Sequence, residues 1–136
     1  MTLKPAERNL PRVLVVDDEV DLAEIIALQF EHAGLAQTVL AHSGQEAVAA
    51  LGTVAFDFVL SDIRMANGDG VWLLSQLKQN CVSLPPFLFM TGYADLTLDE
   101  ALEMGALGIL SKPFPMDELV ERFTKAMASR PGRAAG

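Results

Sequence analysis

The sequence is poor in the features that anchor secreted or membrane proteins. Its single cysteine, Cys81, cannot close an internal disulfide and has no histidine or second cysteine close by in sequence, so it makes no metal motif and reads as packing. No apolar run of about 18 residues is present to span a bilayer, and Met1 to Pro11 carries charges without the apolar centre of a signal peptide. No membrane insertion and a cytoplasmic location are the expectations. Basic residues are scarce as well, with 10 Lys and Arg against 18 Asp and Glu, a net charge of −8. Five of those ten (Lys4, Arg8, Arg12, Arg130 and Arg133) lie in the end segments beside one acid, Glu7, which leaves Val13 to Ser129 with a net charge of −12. Such a domain repels nucleic acid, so no direct nucleic-acid binding is expected, and cations or a basic protein surface fit better.

What is present is apolar. In 136 residues, 51% are hydrophobic and 21% charged, enough to bury the core of one domain and far from a disordered composition. Four short apolar runs each end in a polar residue: Arg12 to Val16 before Asp17-Asp18, Phe58 to Ser61 before Asp62, Phe87 to Met90 before Thr91, and Ile109 to Ser111 before Lys112. They have strand length, and Thr38 to Ala41 reads as another strand. Between them lie helix-spaced apolar positions: Leu22, Ile25, Ile26 and Phe30; Val71, Leu74 and Leu77; Leu98, Ala101 and Leu102; and Met116, Leu119, Val120 and Phe123. Ser43 followed by Glu46 reads as a capping box opening a short helix through Val48 and Leu51. Strand and helix alternate five times, which predicts an α/β fold of parallel strands joined by right-handed crossovers, with helices on both faces. Met1 to Pro11 and Arg130 to Gly136 read as tails around a domain over residues 12–129.

An open parallel sheet binds ligands beyond the carboxyl ends of its strands, where Asp17, Asp18, Asp62, Thr91 and Lys112 all fall. Three carboxylates at one edge are untenable without a bound cation or a retained proton. Mg2+ suits a site with a couple of carboxylates, water and a phosphate, whereas calcium asks for more protein oxygens. Lys112 and Thr91 supply the charge and the hydroxyl donor that a phosphoryl group needs, and an aspartate can carry that group covalently.

These residues resemble the receiver domain of two-component response regulators. The resemblance covers Arg12 to Ser129 and rests on Val15 to Glu19, Ser61 to Met65, Asp69-Gly70, Thr91-Gly92, Gly105-Ala106 and Lys112-Pro113-Phe114. It implies a flavodoxin-like, doubly wound (βα)5 fold with strand order 2-1-3-4-5 and a cis Lys112-Pro113 peptide. It also implies that Asp62 accepts a phosphoryl group from the phosphohistidine of a sensor histidine kinase or histidine phosphotransfer protein. Asp18 would ligate Mg2+, or Mn2+ as a substitute, directly and Asp17 mainly through water, with a carboxylate oxygen of Asp62 and the backbone carbonyl of Arg64 completing the protein's share. Thr91 would hydrogen-bond the phosphoryl group and Lys112 pair with it. The product is a signalling switch rather than a metabolic enzyme, signalling to an output protein, with homodimerisation through the fourth helix, fifth strand and fifth helix as a further expectation.

Departures from the family pattern carry their own expectations. The aromatic residue usual three positions before the lysine is Ile109, so the output must be relayed by a backbone shift or by Tyr93, or be weaker. Arg64 and Tyr93, two residues after the aspartate and the threonine, are both large and would shield the phosphoryl group from water. Ala66 replaces a proline, which predicts a more mobile loop through Asn67 to Gly70. Trp72 reads either as an exposed partner contact or as a ring lying flat over a neighbouring helix, His32 and His42 as surface or helix-end residues, and Met90, Met104 and Met116 as core filler. Three functions are weighed: a stand-alone switch, a receiver belonging to a longer regulator with a DNA-binding or enzymatic output domain, and an aspartyl-phosphate phosphohydrolase. Ser61-Asp62-Ile63-Arg64 lacks the second aspartate expected of the third.

Overall fold

The computed structural model describes residues 10–80, 83–92 and 96–129. Five strands, β1 (Arg12–Val16), β2 (Gln37–Ala41), β3 (Phe58–Asp62), β4 (Phe87–Thr91) and β5 (Gly108–Ser111), alternate with α1 (Val20–His32), α2 (Gly44–Leu51), α3 (Gly70–Asn80), α4 (Leu98–Glu103) and α5 (Met116–Ala128). The strands form one parallel sheet in the order β2-β1-β3-β4-β5, the flavodoxin-like order expected. The chain reverses direction across the sheet between β1 and β3, so their carboxyl ends flank the crevice at the switch point.

Alternation along the strands divides the core in two. Val13, Val15, Phe58, Leu60, Leu88, Met90 and Leu110 face α1 and α5, where Ile26, Phe30, Leu119 and Phe123 meet them. Leu14, Val16, Val59, Phe87 and Phe89 face α2, α3 and α4, meeting Ala47, Leu73, Leu74, Leu77 and Ala101. Phe123 sets its ring edge-on to Phe30 at 5.0 Å and to Phe58 at 5.4 Å, so one side chain ties α5 to both α1 and the central strand.

Three helical details differ from the sequence reading. In α4 only Ala101 of the expected stripe is buried, because Leu98 and Leu102 face outward at 55% and 48% exposure. In α1, Ile25 is likewise outside while Ile26 and Phe30 are inside. The capping box at α2 is only half formed: the Ser43 hydroxyl accepts the Glu46 N–H at 3.1 Å, but the Glu46 carboxylate takes the N–H of His42 at 3.0 Å rather than that of Ser43. A complete box forms at α4, between Thr97 and Glu100, and its hydrogen bonds to Thr97 hold the Glu100 carboxyl below the usual glutamate range.

Candidate functional site

Burial at the carboxyl ends of β1 and β3 makes the site. Asp17 directly follows β1, is completely buried, and donates its N–H to the Ala41 carbonyl at 3.0 Å, which extends the sheet by one rung. One carboxylate oxygen of Asp17 accepts the Glu19 N–H at 2.9 Å and the other accepts the Lys112 ammonium at 2.9 Å. Asp62 ends β3 and is 7% exposed; Oδ1 accepts the Ile63 N–H at 2.8 Å and Oδ2 accepts Lys112 Nζ at 3.0 Å. Asp18 is exposed, and one ligating oxygen each from Asp17, Asp18 and Asp62 lie within 4.8 Å of one another.

The structure therefore answers the crowding of acids in a way the sequence reading did not foresee. An internal ammonium, from a residue 95 positions away from Asp17, stands between two of the three carboxylates and also reaches Glu19 at 3.3 Å. Burial by itself would lower the Lys112 pKa, but the hydrogen bonds and charges of Asp17 and Asp62 outweigh it and push the group above the ordinary lysine range. Burial is also the largest influence on Asp62 and raises its pKa, opposed by the hydrogen bond and charge of Lys112 and reinforced by the charge of Asp17. Lys112 is aligned by its own backbone, whose N–H donates to the Thr91 carbonyl at 2.8 Å, and the Lys112-Pro113 peptide is cis. Thr91 ends β4 and is buried.

The donor set fits a hard divalent cation: carboxylate oxygens only, two buried and one open to solvent. A groove of about 790 Å³, lined in part by Asp18, Glu19, Asp62, Arg64 and Lys112, leads to it between α1 and the segment Pro113 to Met116. Arg64 is exposed beside Asp62 in this groove. Ile109 is half-buried and packs toward the α2–α4 side of the sheet, away from the groove. Tyr93 lies outside the described residues.

Two glycines explain the shape of the loop after β3. A Cβ on Gly70 would stand 2.3 Å from the Asp62 carbonyl oxygen, so only glycine lets α3 start against the strand end. A Cβ on Gly44 would stand 2.5 Å from the Gly68 carbonyl oxygen and 2.9 Å from the Trp72 ring. That closeness lets the N–H groups of Gly44 and Gln45 donate to the carbonyls of Gly68 and Asn67 at 2.8 and 3.1 Å. The loop expected to be mobile for want of a proline is tied to the first turn of α2, with Trp72 laid against the tie and 36% exposed. Its ring lies against the start of the neighbouring helix.

The sequence reading missed two residues here. Glu19 is a partner of Lys112, and His42, read as a surface or helix-end residue, places Nδ1 3.0 Å from the Asp17 carbonyl oxygen. Neither contact has a local signature; the only clue was adjacency to a strand end.

The chain matches the model of the response regulator receiver domain over residues 13–124. It is 39% identical over 117 residues to the transcriptional regulatory protein ZraR of Salmonella typhimurium, covering 85% of this chain and 26% of ZraR. It thus spans about a quarter of the length of that relative. The receiver domain of the Francisella response regulator 1452 superposes with a TM-score of 0.77 at 33% identity, covering 85% of this chain and 95% of that one. The Thermotoga maritima response regulator TrrA, whose structure is in complex with Mg(2+)-BeF, superposes with a TM-score of 0.77 at 26% identity, covering 86% of this chain and 99% of that one.

Proposed function

Since the chain belongs to the response regulator receiver domain family, we propose that Asp62 is its phosphoacceptor and that residues 12–129 are the working domain, with a tail at 1–11 and a tail or the start of a linker at 130–136. The carrying observation is the Asp62 carboxylate at the end of the central strand, 3.0 Å from Lys112 Nζ and within ligating reach of Asp17 and Asp18. A carboxylate oxygen of Asp62 attacks the phosphorus of a phosphohistidine on a histidine kinase or phosphotransfer protein. The new O–P bond forms as the N–P bond breaks, and its electron pair stays on the donor imidazole. Phosphoryl transfer of this kind runs through a loose transition state, so the protein mainly positions groups and balances charge.

Asp18, Asp62 and the Arg64 backbone carbonyl would hold Mg2+ directly, with Asp17 acting mainly through water and Mn2+ able to substitute. When bound, the ion neutralises charge on the phosphoryl oxygens and lets the anionic donor approach three carboxylates. Lys112 already sits on Asp62 Oδ2 and pairs with the phosphoryl group once it is attached there, while the Thr91 hydroxyl donates to a second phosphoryl oxygen. The covalent group adds about −1.5 to −2 charge to this edge, and its pull on Thr91 and Lys112 shifts the backbone of β4 and β5. Ile109 brings no hydroxyl to this movement, so the relay falls to the backbone or to Tyr93. Arg64 and Tyr93 slow loss of the phosphoryl group by shielding it from water.

The partners proposed are the phosphohistidine donor, an output protein, and a second copy through α4, β5 and α5; the last is supported by exposed Leu98, Leu102 and Leu107. The share of ZraR covered favours a second reading, a receiver working within a longer regulator. No helix among the described residues is long and apolar enough to cross a membrane, which accords with a cytoplasmic site of action. Incubation with acetyl phosphate and Mg2+, read by intact-protein mass spectrometry, tests the chemistry: wild type gains one phosphoryl group and Asp62→Asn gains none. Equal labelling of the two would refute Asp62 as acceptor.

A further inference from the structure

The pairing of β1 with β2 does not stop where β2 ends. Val16 pairs with Ala41, and the Asp17 N–H still donates to the Ala41 carbonyl at 3.0 Å. Beyond this point β2 turns into α2, and its backbone supplies no further rung. The His42 N–H is taken by the Glu46 carboxylate at 3.0 Å, and Ser43 becomes the cap of α2. The Asp17 carbonyl is met instead by a side chain, the His42 imidazole, with Nδ1 at 3.0 Å. A carbonyl oxygen can only accept, so Nδ1 carries the proton and donates.

This carbonyl belongs to the peptide that joins Asp17 to Asp18. Asp17 is held on every side, by Ala41, by the Glu19 N–H and by Lys112. Asp18 is exposed, and its Cα is set by the plane of that peptide. The same short turn also reaches the other acidic loop, since Gly44, two residues after His42, donates to the Gly68 carbonyl in the segment following Asp62. The turn from His42 to Gly44 is therefore a strut between the backbone that carries Asp17 and Asp18 and the loop that follows Asp62.

We propose that His42 is a positioning residue for divalent-cation binding: its Nδ1–H clamps the Asp17–Asp18 peptide and so presents the Asp18 carboxylate within ligating distance of Asp17 and Asp62. This rests on the cation reading given above. Groups that orient metal ligands from outside contribute strongly to affinity, and here the hold is exerted through a backbone carbonyl.

Isothermal titration of Mg2+ into the metal-free protein tests it, with urea midpoints recorded for every variant. His42→Phe keeps the ring volume but not the donor and is expected to weaken Mg2+ binding about tenfold. His42→Asn, whose Nδ2 is attached at the same branch point as imidazole Nδ1, is expected to restore most of that affinity. If the Phe variant does not fold, His42→Ala takes its place. Unchanged Mg2+ affinity in the Phe or Ala variant overturns the proposal, and so does equal weakening in the Asn variant, which would mean that ring packing and not the donor matters. The cation reading is checked separately by Asp18→Ala, which removes a carboxylate proposed to hold the ion directly: if wild type and that variant bind Mg2+ alike, or wild type binds none, the cation reading fails before any His42 variant is compared.

Discussion

Two stretches of β3 share the same burial and live by opposite physics. Phe58, Val59 and Leu60 are fully buried among apolar side chains, and their contribution is non-directional, about 1.5–3 kcal/mol for each large side chain taken out of water. Ser61 and Asp62, next along the strand, are also buried, yet each polar atom there must find a partner: the Ser61 hydroxyl donates to the Asp62 carbonyl at 2.9 Å and Asp62 shares Lys112 with Asp17. No buried side-chain N or O among the described residues is left without a hydrogen bond. The body of the sheet would tolerate many apolar sequences of similar volume, whereas its carboxyl edge works only with specific charges in specific places.

The largest break in the apolar half should come at Phe123, which meets Phe30 and Phe58 together. Phe123→Ala is expected to cost about 3–5 kcal/mol, seen as a lower urea midpoint whose gap from wild type is the same with and without Mg2+. At the carboxyl edge, Lys112→Met leaves Asp17, with no exposed surface, facing Asp62 without its cation. We expect a loss of about 3 kcal/mol in metal-free buffer, with Mg2+ stabilising this variant more than it stabilises wild type, because the carboxylates have lost their internal counter-charge. An equal Mg2+ increment in both proteins would mean that Lys112 does not balance these acids.

Smaller effects sharpen the contrast. Ser43→Ala removes the hydroxyl that accepts the Glu46 N–H and should cost about 1 kcal/mol by urea denaturation, while leaving phosphoryl labelling intact. Asp62→Asn should abolish labelling yet slightly raise the thermal midpoint in metal-free buffer at neutral pH. Burial raises the Asp62 pKa, so the folded state disfavours its ionised form more than the unfolded chain does. The wild-type protein is therefore penalised as pH rises above the ordinary aspartate range, and the difference between the two proteins should close toward acid pH, where Asp62 is protonated. A midpoint that falls in the Asn variant at neutral pH would show that the pairing with Lys112 dominates over burial.

The strands were legible because a buried parallel strand leaves a short apolar run with a polar stop, and those stops placed Asp17, Asp62, Thr91 and Lys112 on one edge. Helix faces were less legible in α4. Leu98 and Leu102 have core spacing but lie outside, since so short a helix seats only Ala101 against the sheet. Glu46 was expected to close the box at Ser43, yet the exit of β2 offered it the His42 N–H instead.

By itself the sequence determined the alternation of elements, the acidic balance and the chemical inventory at the strand ends, because these follow from composition and from periodicities of two to four residues. Only the tertiary structure decided that Lys112 stands between Asp17 and Asp62, that His42 holds the Asp17 carbonyl, and that the loop after Asp62 is tied to α2. Those contacts join segments far apart in the chain. They arise from strand order and register, which bring carbonyls, carboxylates and donors together without leaving any local pattern in the residues that supply them.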